Sequence, residues 1–202
     1  NTRILIDMGI SFSRLEEGLN EINLQPDDID ALIFTHNHSD HVSGIKFFSP
    51  KKMYALEGTL PSSLSNKVNL NETITIKDID IIPFKTSHDA INPCGYILSS
   101  GDEKLVYMTD TGVFVDDNLP LVSNPTYLII ESNHDIKMLM NSNRTMELKK
   151  RILSDHGHLC NEDRGFFGKR ILLGSNVYDN LTDDYKKFFS EYDDTWVDAA
   201  IE

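Results

Sequence analysis

The chain has 202 residues, a length that suits one well-buried domain better than two. Hydrophobic residues make up 40% of the sequence, which excludes a disordered chain. The 19 basic and 32 acidic residues give a net charge of −13, which argues against extensive contacts with phosphate groups. Bound divalent cations would cancel part of this charge locally. We expect one domain over residues 1–202.

The cysteines and the apolar runs bear on the location of the protein. Cys94 and Cys160 form no CxxC pair and are too few for a disulfide framework, which favours the cytoplasm. No apolar run reaches the roughly 20 residues of a membrane helix, so we expect no membrane contact. The chain begins at Asn1 without methionine and enters a strand almost at once. We therefore expect further residues upstream, where an export leader would also lie.

Strands and helices alternate along the first third of the chain. Residues 4–6 predict a short buried strand, and residues 31–34 are continuously apolar, as in a strand covered on both faces. Residues 52–56 predict another strand, followed by a weak helix over residues 60–64. Between the first two strands, apolar side chains recur at helical spacing, at Phe12, Leu15, Leu19 and Ile22.

The remainder of the chain begins with strands and ends with helices. Residues 73–87 contain alternating apolar residues, typical of strands. Three further strands are predicted, over residues 95–98, 105–108 and 127–130. We also predict a helix capped by Asn143 and running through Asp155, a last strand over residues 170–174 and a last helix over residues 182–192. This order suits sheets with helices on their outer faces, an α/β (α+β) class.

The strongest chemical signal is a histidine-rich loop that follows the strand over residues 31–34. The loop reads His36-Asn37-His38-Ser39-Asp40-His41, so four candidate metal ligands lie within six residues. Divalent zinc prefers imidazole nitrogen and carboxylate oxygen. Alternate side chains of an extended loop point the same way, so His36 and His38 can share one ion, while Asp40 and His41 can reach a second. Histidines that merely cap a helix are the weaker interpretation.

Two further candidate ligands also follow predicted strands. His88 follows the strand-rich residues 73–87, and Asp110 follows the strand over residues 105–108. Such strand ends are where the sites of layered α/β folds collect. Taken alone, His88 is more typical of an ordinary core or surface histidine, and Asp110 of a turn carboxylate.

Together these motifs resemble the metallo-β-lactamase superfamily, and within it the YycJ/WalJ-type proteins related to ribonuclease Z. The blocks that carry the resemblance run in order along the chain, at residues 5–9, 35–41 with Gly44, 87–90 with 95–96, 109–112, 131–135 and 157–162. The first metal loop is specific to the superfamily, and the last two blocks are specific to the subfamily. The resemblance implies a four-layer αββα sandwich with two metal ions between the sheets.

The resemblance also implies a role for each candidate ligand. The first ion would be held by His36, His38 and His88, the second by Asp40 and His41, and both by Asp110. Zinc and manganese both suit these ligands, so the expected cofactor is a pair of Zn²⁺ or Mn²⁺ ions.

The sequence departs from the family pattern at both ends. The family begins with an additional strand and a Gly/Ser-rich turn that are absent here, so we expect N-terminal strands to be missing. The last ligand of the family is a histidine after the final strand, where this chain has Ser175. The stretch between Glu162 and Arg170 is also shorter. We therefore expect a weakened second metal site and reduced activity.

The predicted activity is metal-assisted hydrolysis of a phosphodiester. A metal-bound hydroxide would attack phosphorus while the ions offset charge on the phosphoryl oxygens. Asp40 is predicted to orient the water, and His158 to protonate the leaving oxygen while Glu131 orients its imidazole. A histidine that only interacts with a helix end is the alternative for His158. The resemblance implies a 5′-to-3′ DNA exonuclease, with nucleic acid as the substrate.

Two other functions stay open. The same fold could hydrolyse another ester, a thioester or a lactam, because a fold does not fix a function. The chain could also be a degenerate, non-catalytic metal-binding protein, an interpretation that Ser175 favours. The sequence does not determine the substrate, the metal or the oligomeric state.

Overall fold

The computed structural model describes residues 2–161 and the backbone of Ile171–Leu172. The described chain divides into two compact units. Unit 1 comprises the residues up to Lys85 together with Asp89–Asp102. Unit 2 comprises Thr86–His88 and the described residues from Glu103 onward. The single domain expected over residues 1–202 stays a prediction.

Unit 1 contains a parallel sheet of four strands in the order β1, β2, β3, β4. The strands are Ile4–Ile6, Ala31–Phe34, Met53–Ala55 and Asn66–Lys67. All four residues of β2 are fully buried, as their continuous apolar pattern predicts. Ile6 lies opposite Ile33, so the chain leaves β1 and β2 at the same edge of the sheet. This edge carries the histidine loop.

Three antiparallel strands also belong to unit 1. They are β5 (Ile74–Ile76), β6 (Ile79–Lys85) and β7 (Cys94–Ser100). Ile81 of β6 and Tyr96 of β7 are fully buried and share an apolar cluster with Ile33 of β2. Part of the core of unit 1 therefore lies between its two sets of strands.

Helix α1 (Phe12–Glu21) covers the parallel sheet through Leu15 and Leu19. Both side chains are buried in a second apolar cluster, which also contains Phe34. The Ser11 hydroxyl caps the helix by accepting a hydrogen bond from the backbone nitrogen of Arg14. The helical periodicity of the sequence is thereby confirmed. The short helix α2 (Ser39–Val42) follows the first two histidines of the loop.

The described residues of unit 2 contain three parallel strands, β8 (Glu103–Met108), β9 (Tyr127–Ile130) and β10 (Ile171–Leu172). The helices that the structure describes in this unit are α3 (Leu119–Val122), α4 (Ile136–Asn141) and α5 (Met146–Ile152). Apolar side chains from these elements and from the chain after α5 are buried, among them Val106, Met108, Leu128, Ile130, Leu139 and Leu159. Strands in two sheets, together with helices, give the α+β class that the sequence predicts. No described helix is long and apolar enough to span a membrane.

Some predicted boundaries were wrong. The helix expected to run from Asn143 through Asp155 begins later, because Thr145 caps it by accepting a hydrogen bond from the nitrogen of Leu148 at 3.3 Å. It also ends earlier, at Ile152. Residues 60–64 contain a turn at residues 62–64 and no helix. Ser175 and the helix predicted over residues 182–192 lie outside the described residues.

Candidate metal centre

The end of β2 is fixed by strand β7 of the same unit. The Tyr96 hydroxyl donates to the carbonyl of Phe34 at 2.7 Å, and the backbone nitrogen of Cys94 donates to the carbonyl of Thr35 at 3.0 Å. Burial raises the pKa of the Cys94 thiol to about 12, so Cys94 is a structural residue and not a nucleophile. These contacts fix the end of β2, and therefore the position of His36 at the start of the loop.

Asp7 organises the histidine loop from the end of β1. Its carboxylate accepts hydrogen bonds from the backbone nitrogen of Thr35 at 2.8 Å and from the Thr35 hydroxyl at 2.7 Å. The same carboxylate lies 2.8 Å from Nδ1 of His41. Asp7 has a φ of 60°, in the left-handed region that aspartate and asparagine tolerate better than most residues. The backbone thus turns the carboxylate toward the loop.

These hydrogen bonds select the tautomers of two histidines. A carboxylate only accepts, so Nδ1 of His41 carries the proton in its contact with Asp7. The Thr35 hydroxyl gives its own proton to Asp7 and therefore accepts from Nδ1 of His36, which lies 3.0 Å away. In the neutral ring of either histidine the lone pair then resides on Nε2. Nε2 is therefore the atom through which His36 and His41 can bind a metal.

His36 and His38 have the spacing of two ligands of one ion. Nε2 of His36 and Nδ1 of His38 are 3.0 Å apart, and the rings meet edge to face. Two nitrogens that each lie 2.0–2.1 Å from one tetrahedral zinc ion would be about 3.3 Å apart, so the donor pair fits a zinc-sized ion. Nε2 of His38 is 3.8 Å from the Asp89 carboxylate, which favours a proton on Nε2 and a lone pair on Nδ1.

Asp40 is the most exposed of the predicted ligands of the loop. Its side chain is 80% exposed, and one carboxylate oxygen lies 4.0 Å from Nε2 of His41. The rings of His36 and His41 are 4.0 Å apart between centroids. Unit 1 therefore brings all four predicted residues of the loop together, with Asp40 on the side open to solvent.

Unit 2 brings His88, Asp110 and His158 into one group. Each offers a ligand atom, and these atoms all lie within 4.8 Å of one another. Nδ1 of His88 donates to the carbonyl of Gly157 at 3.0 Å, so its lone pair also resides on Nε2. His88 and Asp110 are thus placed as ligands would be, and neither is an isolated core or turn residue.

His158 is held by a carboxylate on its Nδ1 side. Nδ1 lies 2.9 Å from Oε2 of Glu131 and 3.3 Å from Oδ1 of Asp110. The other oxygen of Glu131 accepts from the backbone nitrogens of Thr111 at 2.6 Å and Leu159 at 3.2 Å. Glu131 is thereby fixed between two chain segments, and it holds the His158 ring through Nδ1.

The sequence analysis predicted roles for the loop histidines, His88, Asp110 and the Glu131–His158 pair, but none for Asp7. A signal was present, since Asp7 directly follows the strand predicted over residues 4–6, and the structure pairs that strand in parallel with the one before the histidine loop. The carboxyl ends of neighbouring parallel strands meet at one edge of a sheet, where polar groups collect. The division of the ligands between two ions stays a prediction.

Comparison with known proteins places these residues in a family. Residues 2–163 match the family model described as the β-lactamase superfamily domain. The exodeoxyribonuclease WalJ of Streptococcus pneumoniae is 38% identical over 176 residues, which cover 80% of this chain and 65% of WalJ. The exodeoxyribonuclease YycJ of Bacillus anthracis is 32% identical over 174 residues, covering 80% and 66%. The chain thus spans about two thirds of the length of these curated relatives.

Solved structures agree on the fold. The metallo-β-lactamase fold protein YhfI of Bacillus subtilis superposes with a TM-score of 0.60 at 19% identity, covering 84% of this chain and 72% of YhfI. A diphosphatase of the PhnP family superposes with a TM-score of 0.60 at 17% identity, covering 89% of this chain and 74% of that protein. The predicted metallo-β-lactamase fold is thereby confirmed, and the chain belongs to the β-lactamase superfamily domain family.

Proposed function

We propose that the chain is a metal-dependent phosphodiesterase that removes nucleotides from DNA ends in the 5′-to-3′ direction. The observation that carries the proposal is the shared orientation of three histidines. His36, His41 and His88 each direct Nδ1 to an oxygen of the protein, which puts the lone pair on Nε2. Histidines oriented in this way are typical of metal ligands.

The expected cofactor is a pair of Zn²⁺ or Mn²⁺ ions. The proposed ligand sets are those that the family resemblance implies, with His36, His38 and His88 for the first ion, Asp40 and His41 for the second, and Asp110 for both. When bound, such ions lower the pKa of a coordinated water to near neutral and offset charge on phosphoryl oxygens. The solvent-exposed position of Asp40 is consistent with a weaker second site.

Side chains of the protein are proposed to orient the attacking water and to protonate the leaving group. Asp40 is proposed to orient the attacking water, and Nε2 of His158 to protonate the leaving oxygen. Glu131 holds the His158 ring in place through Nδ1, because its carboxylate is itself anchored by two backbone nitrogens. An alkoxide leaving group in DNA needs such a proton donor, which favours a phosphodiester as the substrate.

The names of the relatives point to the same substrate, since WalJ and YycJ are both exodeoxyribonucleases. With a net charge of −13, we expect a contact with few phosphates, as at a strand end, rather than with a long duplex. We also propose a cytoplasmic location. Cys94 and Cys160 are both buried and form no disulfide, which suits a reducing compartment.

The test combines metal counting with a nuclease assay. The protein is loaded with Zn²⁺ or Mn²⁺, its metal content is measured, and DNA labelled at the 5′ or 3′ end is offered. We expect two ions per chain, release of nucleotides from the 5′ end, and complete loss of activity in His38→Ala. His156→Ala is the matched control, because His156 is exposed and outside the proposed ligand set.

Three outcomes would contradict the proposal. Unchanged turnover in His38→Ala would exclude the metal mechanism. Hydrolysis of a thioester or a lactam without hydrolysis of DNA would identify another kind of hydrolase. One ion or none, without any turnover, would identify a degenerate, non-catalytic protein, the outcome that Ser175 would then explain.

A further inference from the structure

Unit 2 contains a pocket that is lined by none of the proposed metal ligands or proton-transfer residues. It is a cavity of about 240 Å³. Drug-sized ligands occupy pockets of about 300–1,000 Å³, so this one suits a smaller group. Its walls come from the chain after β9, from helix α4, from the loop between α4 and α5, from the end of α5 at Ile152, and from Asn161. The pocket therefore lies entirely among the described residues of unit 2.

Two chain segments that carry Glu131 and His158 lead directly into the wall of the pocket. Beyond this pair the segments run side by side, with the nitrogen of Asn133 donating to the carbonyl of Leu159 at 3.1 Å. The nitrogen of Asn161 then donates to the carbonyl of His134 at 2.8 Å. Two residues of extended chain span at most about 7 Å, so the pocket wall begins within that distance of the Glu131 backbone. A ligand in the pocket would lie close to the proposed proton donor.

The lining of the pocket combines amide, hydroxyl and apolar groups. Asn133 offers both a donor and an acceptor, while the buried amide of Asn161 is hydrogen-bonded to the Ser132 hydroxyl at 2.7 Å. Met138 and Ile152 supply apolar surface. Nucleobases are bound by groups of these kinds, which hydrogen-bond to the base edge and pack against its face.

A cation and a carboxylate complete the lining. Arg144 borders the pocket, and its guanidinium forms no ion pair within the part of the chain that the structure describes. Guanidinium groups stack on the faces of bases. Asp135 also lines the pocket, with one oxygen accepting from the nitrogen of Met138 at 2.7 Å. A carboxylate in the wall disfavours a bare phosphate as the occupant, and a base is compatible with it.

The loop that carries Arg144 is held by a buried lysine. Lys149 is 6% exposed, and its Nζ donates to the carbonyls of Met140 at 2.7 Å and Ser142 at 2.8 Å. These bonds tie the end of α4 to α5, so the rim of the pocket is fixed before a ligand arrives. A preformed rim reduces the entropy that binding would cost.

We propose that this pocket binds the base of a nucleotide next to the scissile phosphate, an inference that rests on the proposed nuclease function. An amide can hydrogen-bond to the edges of more than one base, and every base can stack on a guanidinium group. The pocket would therefore position DNA without strict sequence preference. Asn133 and Arg144 are the residues that would contact the base.

The experiment measures ligand binding by NMR on the full chain in EDTA, which stops turnover. The probes are 2′-deoxyadenosine 5′-monophosphate, deoxyribose 5-phosphate and inorganic phosphate. We expect only the nucleotide to bind, and Arg144→Ala and Asn133→Ala each to weaken it by about tenfold. Both residues are exposed, so folding is not at risk. Arg14→Ala, an exposed arginine of α1, removes the same charge and should bind like the wild type.

The outcomes separate this inference from the proposed function. Equal binding of nucleotide and deoxyribose 5-phosphate would identify a phosphate site and overturn the inference. Nuclease activity together with wild-type nucleotide binding in Arg144→Ala would also overturn it, while leaving the proposed function intact. Nucleotide binding that depends on Arg144, without any DNA hydrolysis, would support a base pocket and overturn the nuclease proposal alone.

Discussion

The carboxylate of Asp7 lies 2.8 Å from Nδ1 of His41, across 34 residues of chain. The same carboxylate accepts two hydrogen bonds from Thr35, whose hydroxyl in turn faces Nδ1 of His36 at 3.0 Å. One carboxylate therefore orients two proposed ligands, His41 directly and His36 through Thr35. Such outer partners of ligating histidines set both the tautomer and the basicity of the ring.

We predict that Asp7→Asn weakens metal binding. Asparagine tolerates the left-handed backbone at this position, so the fold should be retained. The neutral amide of asparagine orients the His41 ring less strongly than the carboxylate of Asp7 does. Loss of such a partner typically costs about 10–100-fold in metal affinity. Competition with a chelator measures the change. Asp102→Asn, in an exposed turn, is the matched control, and equal affinities in both variants would contradict the role assigned to Asp7.

We predict that the effect of removing His158 depends on the leaving group. His158→Ala should slow hydrolysis of DNA by about 10²–10⁴-fold, the usual contribution of a general acid. Hydrolysis of bis-p-nitrophenyl phosphate should fall much less, because nitrophenolate leaves without protonation. Parallel kcat measurements on the two substrates, with metal content verified, test this. An equal loss on both substrates would instead assign His158 to metal binding. Its position next to His88 and Asp110 is compatible with that role.

Continuous or periodic apolar patterns predicted the structure well. Strand β2 and helix α1 follow from such patterns, because burial on two faces or on one stripe dictates which residues are apolar. The boundaries of α5 did not follow, since Asn143 and Thr145 are both good caps and only the fold selects Thr145. Helix α4 was missed because it has six residues and exposes Met138 and Met140, which blurs its apolar stripe.

The candidate site was predictable to the extent that its residues are close in sequence or carry family motifs. The loop from His36 to His41 has its candidate ligands close together in sequence, so a metal site can be predicted from their spacing alone. Asp7 acts on this loop only because β1 and β2 pair in parallel register, which the sequence does not specify. The pocket near Asn133 and Arg144 likewise depends on how α4 and α5 pack, so no motif marks it.

We predict that Cys94 stays unreactive until the protein unfolds. Its pKa rises from 9.0 to about 12 on burial, so at pH 8.5 the folded thiolate population is about a thousandfold lower than in the unfolded chain. The folded state holds this proton more tightly, so the contribution to stability is present below pH 9.0 and declines as the pH rises toward 12. Alkylation of a Cys160→Ala variant with and without urea isolates Cys94. Rapid labelling of the folded protein would contradict this prediction.

We predict that two glycines of unit 1 respond in opposite directions to alanine. A Cβ on Gly9 would lie 1.4 Å from the backbone oxygen of Asp40, so the histidine loop could not keep its position. Gly9→Ala should therefore lower both the unfolding midpoint in urea and the metal affinity. Gly18 lies within α1 with nothing within 4 Å of its Cβ position, and Gly18→Ala should stabilise the protein by about 0.5–1 kcal/mol through helix propensity. A Gly9→Ala variant with unaltered metal binding would show that the loop does not depend on close packing against this residue.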